Sequence, residues 1–230
     1  MKISVILPTY NEKENVGEAV RRISSLLGKD TEFIVVDDSS PDGTAEAARK
    51  LAPEYNVKVL VRAKRVGLGA ALQEGYESAS GDLILSADTD LQQNTEALLK
   101  IVEALNSGFD FVEGSRYCKG GKVEGIPPLR QLASRTANIL ARIITGVPFT
   151  DFTDNFRGFK REVLQKVKCT RRNNVYLAEF IAKARRTGFK LKETPVTFTV
   201  RKKGGSKMRL MRESLLFIFE LVRMKLEGEI

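Results

Sequence analysis

The sequence predicts an α/β protein with a mainly parallel central sheet and a C-terminal helical elaboration. Short apolar runs rich in β-branched residues have the composition of strands buried on both faces; they span 3–7, 33–36, 57–61, 83–87 and 109–112. Apolar residues at helical spacing lie between them, most clearly over 16–27 and 97–105. This alternation indicates right-handed βαβ units, in which the ligand crevice lies beyond the carboxyl ends of the strands.

The later part of the chain adds elements to this core. Helical segments are expected around 129–144 and 175–187, followed by a strand over 191–200. The segment 210–226 alternates basic residues with Leu, Ile, Phe and Met, which predicts an amphipathic helix. We therefore divide the chain into a main domain, 1–209, and a helix at a membrane surface, 210–230. The alternative is that this helix packs on the domain, as amphipathic helices usually do.

Composition excludes several kinds of chemistry. The 230 residues include 38 Lys and Arg against 29 Asp and Glu, and the net charge of +9 favours phosphates, nucleic acid or an anionic membrane surface as partners. The sequence has no histidine, which excludes imidazole metal ligands, a histidine general base and a histidine-based triad. The basic residues over 201–212 lack interleaved aromatic residues, so we expect no nucleic-acid partner.

Two carboxylates follow the predicted strand at 83–87. Asp88 and Asp90 lie two residues apart, where loops from neighbouring strands converge. Carboxylate oxygens are natural ligands of Mg²⁺ or Mn²⁺, which commonly bridge a protein to a substrate diphosphate. Taken alone, the pair is a weak signal, and two solvated acids near the start of a helix are the alternative.

Polar residues also follow the first two strands. Asp38 lies in the stretch DDSSPDGT, and a carboxylate there has the chemistry to accept a hydrogen bond from a nucleobase N–H. Tyr10 and Glu12 place an aromatic face and a carboxylate after the first strand. The alternative for the residues around Asp42 is an ordinary strand-to-helix turn.

Taken in order, these motifs resemble a known family. LPTYNE, VDDSSPDGT, GLGAAL and ADTDLQ are similar to the motifs of the family 2 glycosyltransferases, specifically the dolichol-phosphate mannose synthase branch. The likeness continues through GSRY at 114–117, SRTAN at 134–138, FRGFKREVL at 156–164 and RKKGGSKM at 201–208, and so covers nearly the whole chain. It implies the nucleotide-sugar-binding, Rossmann-like GT-A fold.

The resemblance also implies roles for individual residues. The implied nucleotide-binding residues are Pro8, Tyr10, Glu12, Val36 and Asp38. The donor-contacting positions are Asp88, Thr89 and Asp90, and the implied ligands of Mg²⁺ or Mn²⁺ are Asp90 and Gln92, supported by Asp88. The acceptor phosphate and the donor diphosphate are held by Arg116, Arg130, Ser134, Arg201, Ser206 and Lys207, and the catalytic set is Asp90, Arg116 and Arg130. Glu179 matches a family carboxylate to which we assign no role.

The chain departs from the family pattern at three places. Gln93, Asn94 and Thr95 stand where the family usually has His-Pro-Pro. The stretch 153–157 reads Thr-Asp-Asn-Phe-Arg where Thr-Ser-Gly-Phe-Arg is common, and Leu177 replaces a frequent Gln. These departures predict an altered preference for the sugar or the acceptor.

The activity implied by the resemblance is inverting transfer of mannose from GDP-mannose to a polyprenyl (dolichyl) phosphate. Within the same chemistry, the alternative donor is UDP-glucose or another nucleotide sugar. A different class of alternative is a noncatalytic basic protein that binds membranes or nucleic acid. The expected location is the cytoplasmic face of a membrane, with peripheral attachment, and a membrane subunit or a membrane segment beyond the C-terminus is a further expected partner.

Overall fold

The structure is a computed structural model that describes residues 1–199 and 207–230, with side chains in the final segment described from residue 214. In the described part of the chain the strands are β1 (Ile3–Thr9), β2 (Glu32–Asp37), β3 (Val57–Val61), β4 (Leu83–Ser86), β5 (Phe111–Ser115), β6 (Lys122–Glu124), β7 (Arg157–Lys160), β8 (Leu191–Pro195) and β9 (Thr197–Thr199). The helices are α1 (Val16–Leu27), α2 (Thr44–Arg49), α3 (Leu68–Ser78), α4 (Ala97–Asn106), α5 (Pro128–Thr145), α6 (Arg161–Lys166), α7 (Val175–Arg186) and α8 (Lys207–Leu226).

The central sheet has the strand order β3-β2-β1-β4-β7-β5-β8. The first four of these strands are mutually parallel, β7 runs antiparallel to both β4 and β5, and β8 is parallel to β5. The amino end of β7 therefore lies at the same edge of the sheet as the carboxyl ends of the parallel strands. The predicted α/β class and the mainly parallel sheet are confirmed.

Helices cover both faces of the sheet. On one face α1, α2 and α4 pack on side chains such as Val5, Phe33 and Leu85. On the other face α3, α5, α6, α7 and α8 pack on Ile6, Ile34 and Phe111. Alternate residues of the same strands thus enter two separate apolar layers, which explains why the strands read as continuous apolar runs.

Aromatic rings fill the second layer beneath α7. The ring of Phe159 on β7 makes edge contacts with Tyr76 and with Phe180, each at a centroid distance of 4.9 Å. The hydroxyl of Tyr76 donates a hydrogen bond of 2.9 Å to Ser86, so its polar end is satisfied inside the core. These contacts fix β7 and β4 to the helices that cover them.

The late strand differs from its prediction. A single strand over 191–200 was expected, whereas β8 ends at Pro195 and β9 begins at Thr197 in a second, two-stranded sheet with β6. Proline has no N–H for a continuing ladder, and Val196 instead donates its N–H to Ser115. Residue 200, the last of the expected strand, lies outside the described residues.

The C-terminal helix α8 has two different faces. Phe217, Leu221 and Met224 are buried and join the core beside α7, whereas Leu215 and Phe219 remain 70% and 66% exposed. The amphipathic helix is present, and it belongs to the core on one side only. The division at 209/210 stays a prediction.

Candidate active site

Three loops at the carboxyl edge of the sheet share a strained backbone. Among the described residues, the non-glycine positions with positive φ are Asn11 after β1 (60°), Ser39 after β2 (53°) and Leu91 after β4 (53°). Left-handed backbone is uncommon for non-glycine residues; asparagine tolerates it well, whereas leucine does not. Strain of this kind clusters at functional sites, where surrounding contacts hold it in place.

The first two loops are joined by hydrogen bonds. Backbone N–H groups of Asn11, Glu12 and Lys13 donate to the side chains of Ser40, Thr44 and Asp42 over 2.9–3.1 Å. The polar residues of DDSSPDGT therefore serve largely to hold these two turns together. This agrees with the turn interpretation for Asp42. Asp38 instead contacts an arginine from the loop after β3.

Asp38 and Tyr10 lie at the end of this edge, next to two arginines from the loop after β3. Arg62, whose side chain is 5% exposed, donates to Asp38 and, over 3.2 Å, to Glu74. The guanidinium of Arg65 lies 4.2 Å from the centre of the Tyr10 ring. Burial raises the pKa of Asp38, and the charge of Arg62 opposes that rise. Sequence reasoning missed both arginines, although they follow a strand end like the residues it did find.

Other predicted nucleotide-binding residues are placed less directly. Pro8 pairs with Val36 in the sheet, and the side chain of Val36 is fully buried in the core. Thr89 is 2% exposed. Glu12 is half-buried and accepts a hydrogen bond of 2.7 Å from Asn15. The structure brings the backbone of all these residues to the same edge.

The two acids after β4 lie on a tight turn. The left-handed residue Leu91 folds the chain back, so that Gln92 donates both its backbone N–H and its side-chain amide to Asp90. Asp88 is half-buried and accepts hydrogen bonds from Asn155, over 3.0 Å, and from Gln93, over 3.4 Å. The predicted triplet of Asp88, Asp90 and Gln92 is thus assembled in one turn.

Negative charge accumulates around Asp88. Burial, together with the charges of Asp154 and Asp90, raises the pKa of Asp88 to about 7, although its hydrogen bond from Asn155 opposes the rise. Burial also raises the pKa of Asp154 to about 6, against the opposing charge of Arg116. A divalent cation would relieve this repulsion.

The donor set fits a hard divalent cation, because Asp88, Asp90 and the amide of Gln92 all offer oxygen. Within the described residues, no three acidic or cysteine side chains are gathered closely enough to hold a metal ion by themselves. An amide oxygen, such as that of Gln92, would be a further ligand of the same chemical type.

Arg116 follows β5 and is held tightly. It donates to Asp151 through Nε, over 2.7 Å, and through an amino group, over 2.8 Å, and also to Thr153 over 2.7 Å. Its side chain is only 10% exposed. A phosphate contact by Arg116 must use its remaining N–H groups or displace Asp151, which sequence reasoning did not anticipate.

Two other predicted phosphate-binding residues, Arg130 and Ser134, lie on α5. Arg130 is exposed in the first turn of α5, and Ser134 accepts a hydrogen bond of 2.9 Å from Tyr117, the neighbour of Arg116. Arg201 and Ser206 lie outside the described residues, as does the side chain of Lys207. Glu179 is fully buried and accepts hydrogen bonds from Thr170, Arg171 and Lys183. These contacts anchor the loop before α7 to the helix.

A Rossmann-like sheet with an acidic turn after β4, and with an aromatic residue and a carboxylate after β1 and β2, has the architecture of a GT-A glycosyltransferase domain. The chain belongs to glycosyl transferase family 2, whose model matches residues 4–168.

The sequences of two relatives align with most of this chain. It is 42% identical over 237 residues to dolichol-phosphate mannosyltransferase of Pyrococcus furiosus, an alignment covering 100% of this chain and 66% of that protein. It is 36% identical over 213 residues to polyprenol monophosphomannose synthase of Mycolicibacterium smegmatis, covering 89% of this chain and 80% of that protein. This chain therefore spans just under two thirds of the length of the Pyrococcus relative.

Solved structures support the fold. Glucosyl-3-phosphoglycerate synthase of Mycobacterium tuberculosis, solved with Mn²⁺ and UDP, has a TM-score of 0.72 at 20% identity and covers 96% of this chain and 80% of its own. A mannosyltransferase of Pyrobaculum calidifontis, solved with GDP-Man and Mn²⁺, has a TM-score of 0.67 at 21% identity, covering 95% of this chain and 63% of its own.

Across the described residues, the helices are either too short or too polar to span a membrane.

Proposed function

We propose that this protein transfers mannose from GDP-mannose to a polyprenyl phosphate, with inversion at the anomeric carbon. The observation that carries the proposal is the convergence of Tyr10, Asp38, Asp88, Asp90 and Arg116 at one edge of the sheet. The names of the two relatives, one a dolichol-phosphate mannosyltransferase and the other a polyprenol monophosphomannose synthase, support the choice of sugar and acceptor.

The donor spans the edge from β2 to β4. Its base lies beside Tyr10, and its N–H donates to Asp38, whose ionised form is favoured by Arg62 against the effect of burial. Its diphosphate lies near Asp90 and Gln92, and Asp88 contacts the donor nearby. A base-contacting carboxylate does not distinguish guanine from uracil by itself, so UDP-glucose is the second donor to test.

Asp90 and Gln92 would hold Mg²⁺ or Mn²⁺, with Asp88 supporting. A divalent cation, when bound, supplies positive charge that neutralises the diphosphate and stabilises it as a leaving group. Turning the Gln92 amide over presents its oxygen in place of the N–H that now faces Asp90. The protein's own part is to hold these oxygens at one turn before the ligand arrives.

The acceptor needs no protein base. A phosphate monoester has a second pKa of about 6, so its oxygen is already an anionic nucleophile at neutral pH. The absence of histidine is therefore no obstacle. The chain must instead bring two anions together, for which Arg130 is exposed and Arg116 is already oriented by Asp151. In-line attack opposite the leaving group gives the β-linked product from an α-linked donor.

A membrane-facing surface adjoins these residues. Helices α5 and α8 pack on each other and leave large apolar side chains exposed: Leu129, Leu132, Ile139, Leu140 and Ile143 on α5, and Leu215, Leu216, Phe219, Val222 and Leu226 on α8. Arg130, Arg135 and Arg142 are exposed on α5, and Arg223 and Lys225 on α8. An apolar face with basic neighbours fits an anionic lipid surface, where each basic residue adds about 1 kcal/mol.

The acceptor explains the need for such a surface, since the head group of a polyprenyl phosphate stays at the lipid interface. We propose peripheral attachment to the cytoplasmic face of a membrane through α5 and α8. Shortening the chain before α8 is a poor test, because Phe217, Leu221 and Met224 belong to the core. Point substitutions on the exposed face are better.

Transfer is tested with purified protein, a short polyprenyl phosphate, radiolabelled GDP-mannose and UDP-glucose, and Mg²⁺, Mn²⁺ or chelator. We expect mannose transfer that depends on metal, and a loss of about 100-fold or more in Asp90→Asn with the fold unchanged. Faster transfer from UDP-glucose than from GDP-mannose would identify UDP-glucose as the preferred donor. No transfer from either donor would favour the noncatalytic alternative.

Membrane attachment is tested by co-sedimentation with anionic and neutral vesicles. The double variant Leu215→Glu/Phe219→Glu should lose binding to anionic vesicles. The matched control is Leu99→Glu, because Leu99 is an exposed leucine of α4 on the opposite face of the sheet. Equal binding by the double variant and the wild-type protein would refute the docking surface.

A further inference from the structure

Two places where the sequence departs from the common family pattern meet in the folded protein. Gln93 lies just after the acidic turn, and Asp154 and Asn155 lie in the loop before β7. The amide nitrogen of Gln93 donates to a carboxylate oxygen of Asp154 over 2.7 Å, although 61 residues separate the two. All three side chains are buried, with exposures of 2–4%.

This cluster also contacts Asp88. The same amide nitrogen of Gln93 lies 3.4 Å from one carboxylate oxygen of Asp88, and the amide nitrogen of Asn155 donates to the other over 3.0 Å. Both oxygens of Asp88 are therefore oriented by neutral amides. Amides orient a carboxylate without placing a positive charge beside it, so the orientation of Asp88 does not depend on an ion pair.

The backbone anchors both ends of the cluster. Gln93 forms a β-bridge with Phe198 of β9, and the carbonyl of Asp154 accepts a hydrogen bond of 2.9 Å from the buried Arg157. The second carboxylate oxygen of Asp154 and the side-chain oxygen of Asn155 are buried without a hydrogen-bond partner. That oxygen of Asp154 lies 3.8 Å from Nε of Arg116, and this charge offsets part of the cost of burying an acceptor without a hydrogen bond.

The chemistry of a primary amide explains how one side chain contacts both acids. A primary amide carries two N–H groups on one nitrogen and can donate to two carboxylates at once, as Gln93 does toward Asp154 and Asp88. Each imidazole nitrogen carries at most one N–H, so the histidine of the common pattern cannot bridge two carboxylates from a single nitrogen. Gln93 and Asp154 are a matched pair in this chain.

We propose that Gln93, Asp154 and Asn155 are positioning residues that orient the Asp88 carboxylate toward the donor nucleotide sugar. This inference rests on the proposed function, and it assigns to the buried cluster a role that acts through Asp88. A residue that acts through another loses its effect when that other residue is removed, whereas a residue needed only for folding does not.

The test measures binding of GDP-mannose in the presence of Mn²⁺ by calorimetry. In the otherwise wild-type protein, Asn155→Ala should weaken binding about tenfold, because one hydrogen bond to a charged group is lost. In the Asp88→Asn protein, adding Asn155→Ala should change affinity less than about twofold. The matched control is Gln73→Ala, whose amide contacts only the exposed Glu77.

A second pair of variants separates hydrogen bonding from charge. Asp154→Asn keeps an acceptor for Gln93 and should retain donor affinity within about threefold, whereas Asp154→Ala should lose about tenfold. If Asn155→Ala weakened donor binding equally in the otherwise wild-type protein and in the Asp88→Asn protein, the proposal would be overturned. An unchanged affinity in Asn155→Ala and Asp154→Ala would also overturn it. Absence of donor binding in the wild-type protein would overturn the proposed function and this inference together.

Discussion

Replacing Arg157 with methionine should destabilise the protein by about 3–5 kcal/mol, because it breaks a fully buried ion pair. Arg157 and Glu113 are both 0% exposed and are joined by a hydrogen bond of 2.9 Å. Methionine keeps much of the side-chain volume, so the loss of charge and hydrogen bonds dominates over a cavity. The pair lies directly behind the candidate site, where Arg157 also supports Asp154.

The magnitude follows from the partners that are left behind. Arg157 donates to Glu113, to the carbonyl of Leu177 over 3.1 Å and to the carbonyl of Asp154 over 2.9 Å. Each buried acceptor that loses its donor costs about 1–3 kcal/mol. Burial already raises the pKa of Glu113, against the opposing charge of Arg157, so in the variant Glu113 takes up a proton. That uptake limits the loss, which keeps the expected value below the sum of the three.

The loss should depend on pH in a defined direction. A carboxyl whose pKa is higher in the folded protein than in the unfolded chain binds more protons when folded. Stability therefore falls as pH rises from the usual pKa of glutamate toward the raised value. Without Arg157 the raised pKa moves higher still, so the decline in stability should extend to higher pH in the variant than in the wild-type protein.

Urea denaturation at several pH values measures these effects. The double variant Arg157→Met/Glu113→Gln should recover about 1–2 kcal/mol of the single loss, because glutamine is neutral and needs no proton uptake to remain buried. Arg21→Met is the matched control, since Arg21 pairs with Glu18 on the exposed face of α1 and should change stability by less than about 0.5 kcal/mol. A loss below about 1 kcal/mol in Arg157→Met, or no recovery in the double variant, would refute the reasoning.

Three further predictions follow from other contacts. Asp88→Asn should stabilise the metal-free protein by about 1–2 kcal/mol at pH 8, because an acid with a raised pKa destabilises the folded state as it ionises. Urea denaturation should also show a smaller decline in stability between about pH 4 and 7 in this variant. Gly69→Ala should destabilise the protein by about 1–3 kcal/mol in thermal unfolding, because the added Cβ would lie 2.5 Å from the Tyr176 side chain and 2.6 Å from a backbone oxygen. In the control Gly17→Ala, on α1, the Cβ would meet a flexible side chain, so the melting temperature should be unchanged or higher. Arg130→Ala should raise the KM for the polyprenyl phosphate more than the Kd for GDP, and the reverse result in paired kinetics and titration would move Arg130 to the donor side.

The parallel half of the sheet could be predicted because its strands are continuous apolar runs. The strand β3 matches its predicted range, 57–61, and β1 and β2 extend the predicted runs by no more than two residues at either end. By contrast, β7 carries only four residues and includes the buried Arg157 and a glycine, so no apolar run marks it. Its place in the sheet depends on contacts distant in sequence, with β4 and β5.

The candidate site shows the same limit. Asp88, Asp90 and Asp38 could be identified because they follow apolar strands directly, and the structure places them at one edge. The acids that surround Arg116 could not be identified in this way. Asp151 and Asp154 lie in a loop without periodicity, and only the fold shows that they surround Arg116.

The left-handed residues at Asn11, Ser39 and Leu91 limit how far this protein can be stabilised by redesign. Glycine at Leu91 would remove a torsional penalty of about 1–2 kcal/mol. Glycine would also give the turn many conformations in which Gln92 no longer faces Asp90. A stability screen that accepted this exchange would improve a melting curve at the cost of the geometry of the acidic turn. Thermostable variants are therefore better sought away from the carboxyl edge of the sheet, on α1, α2 or the outer surface of α4.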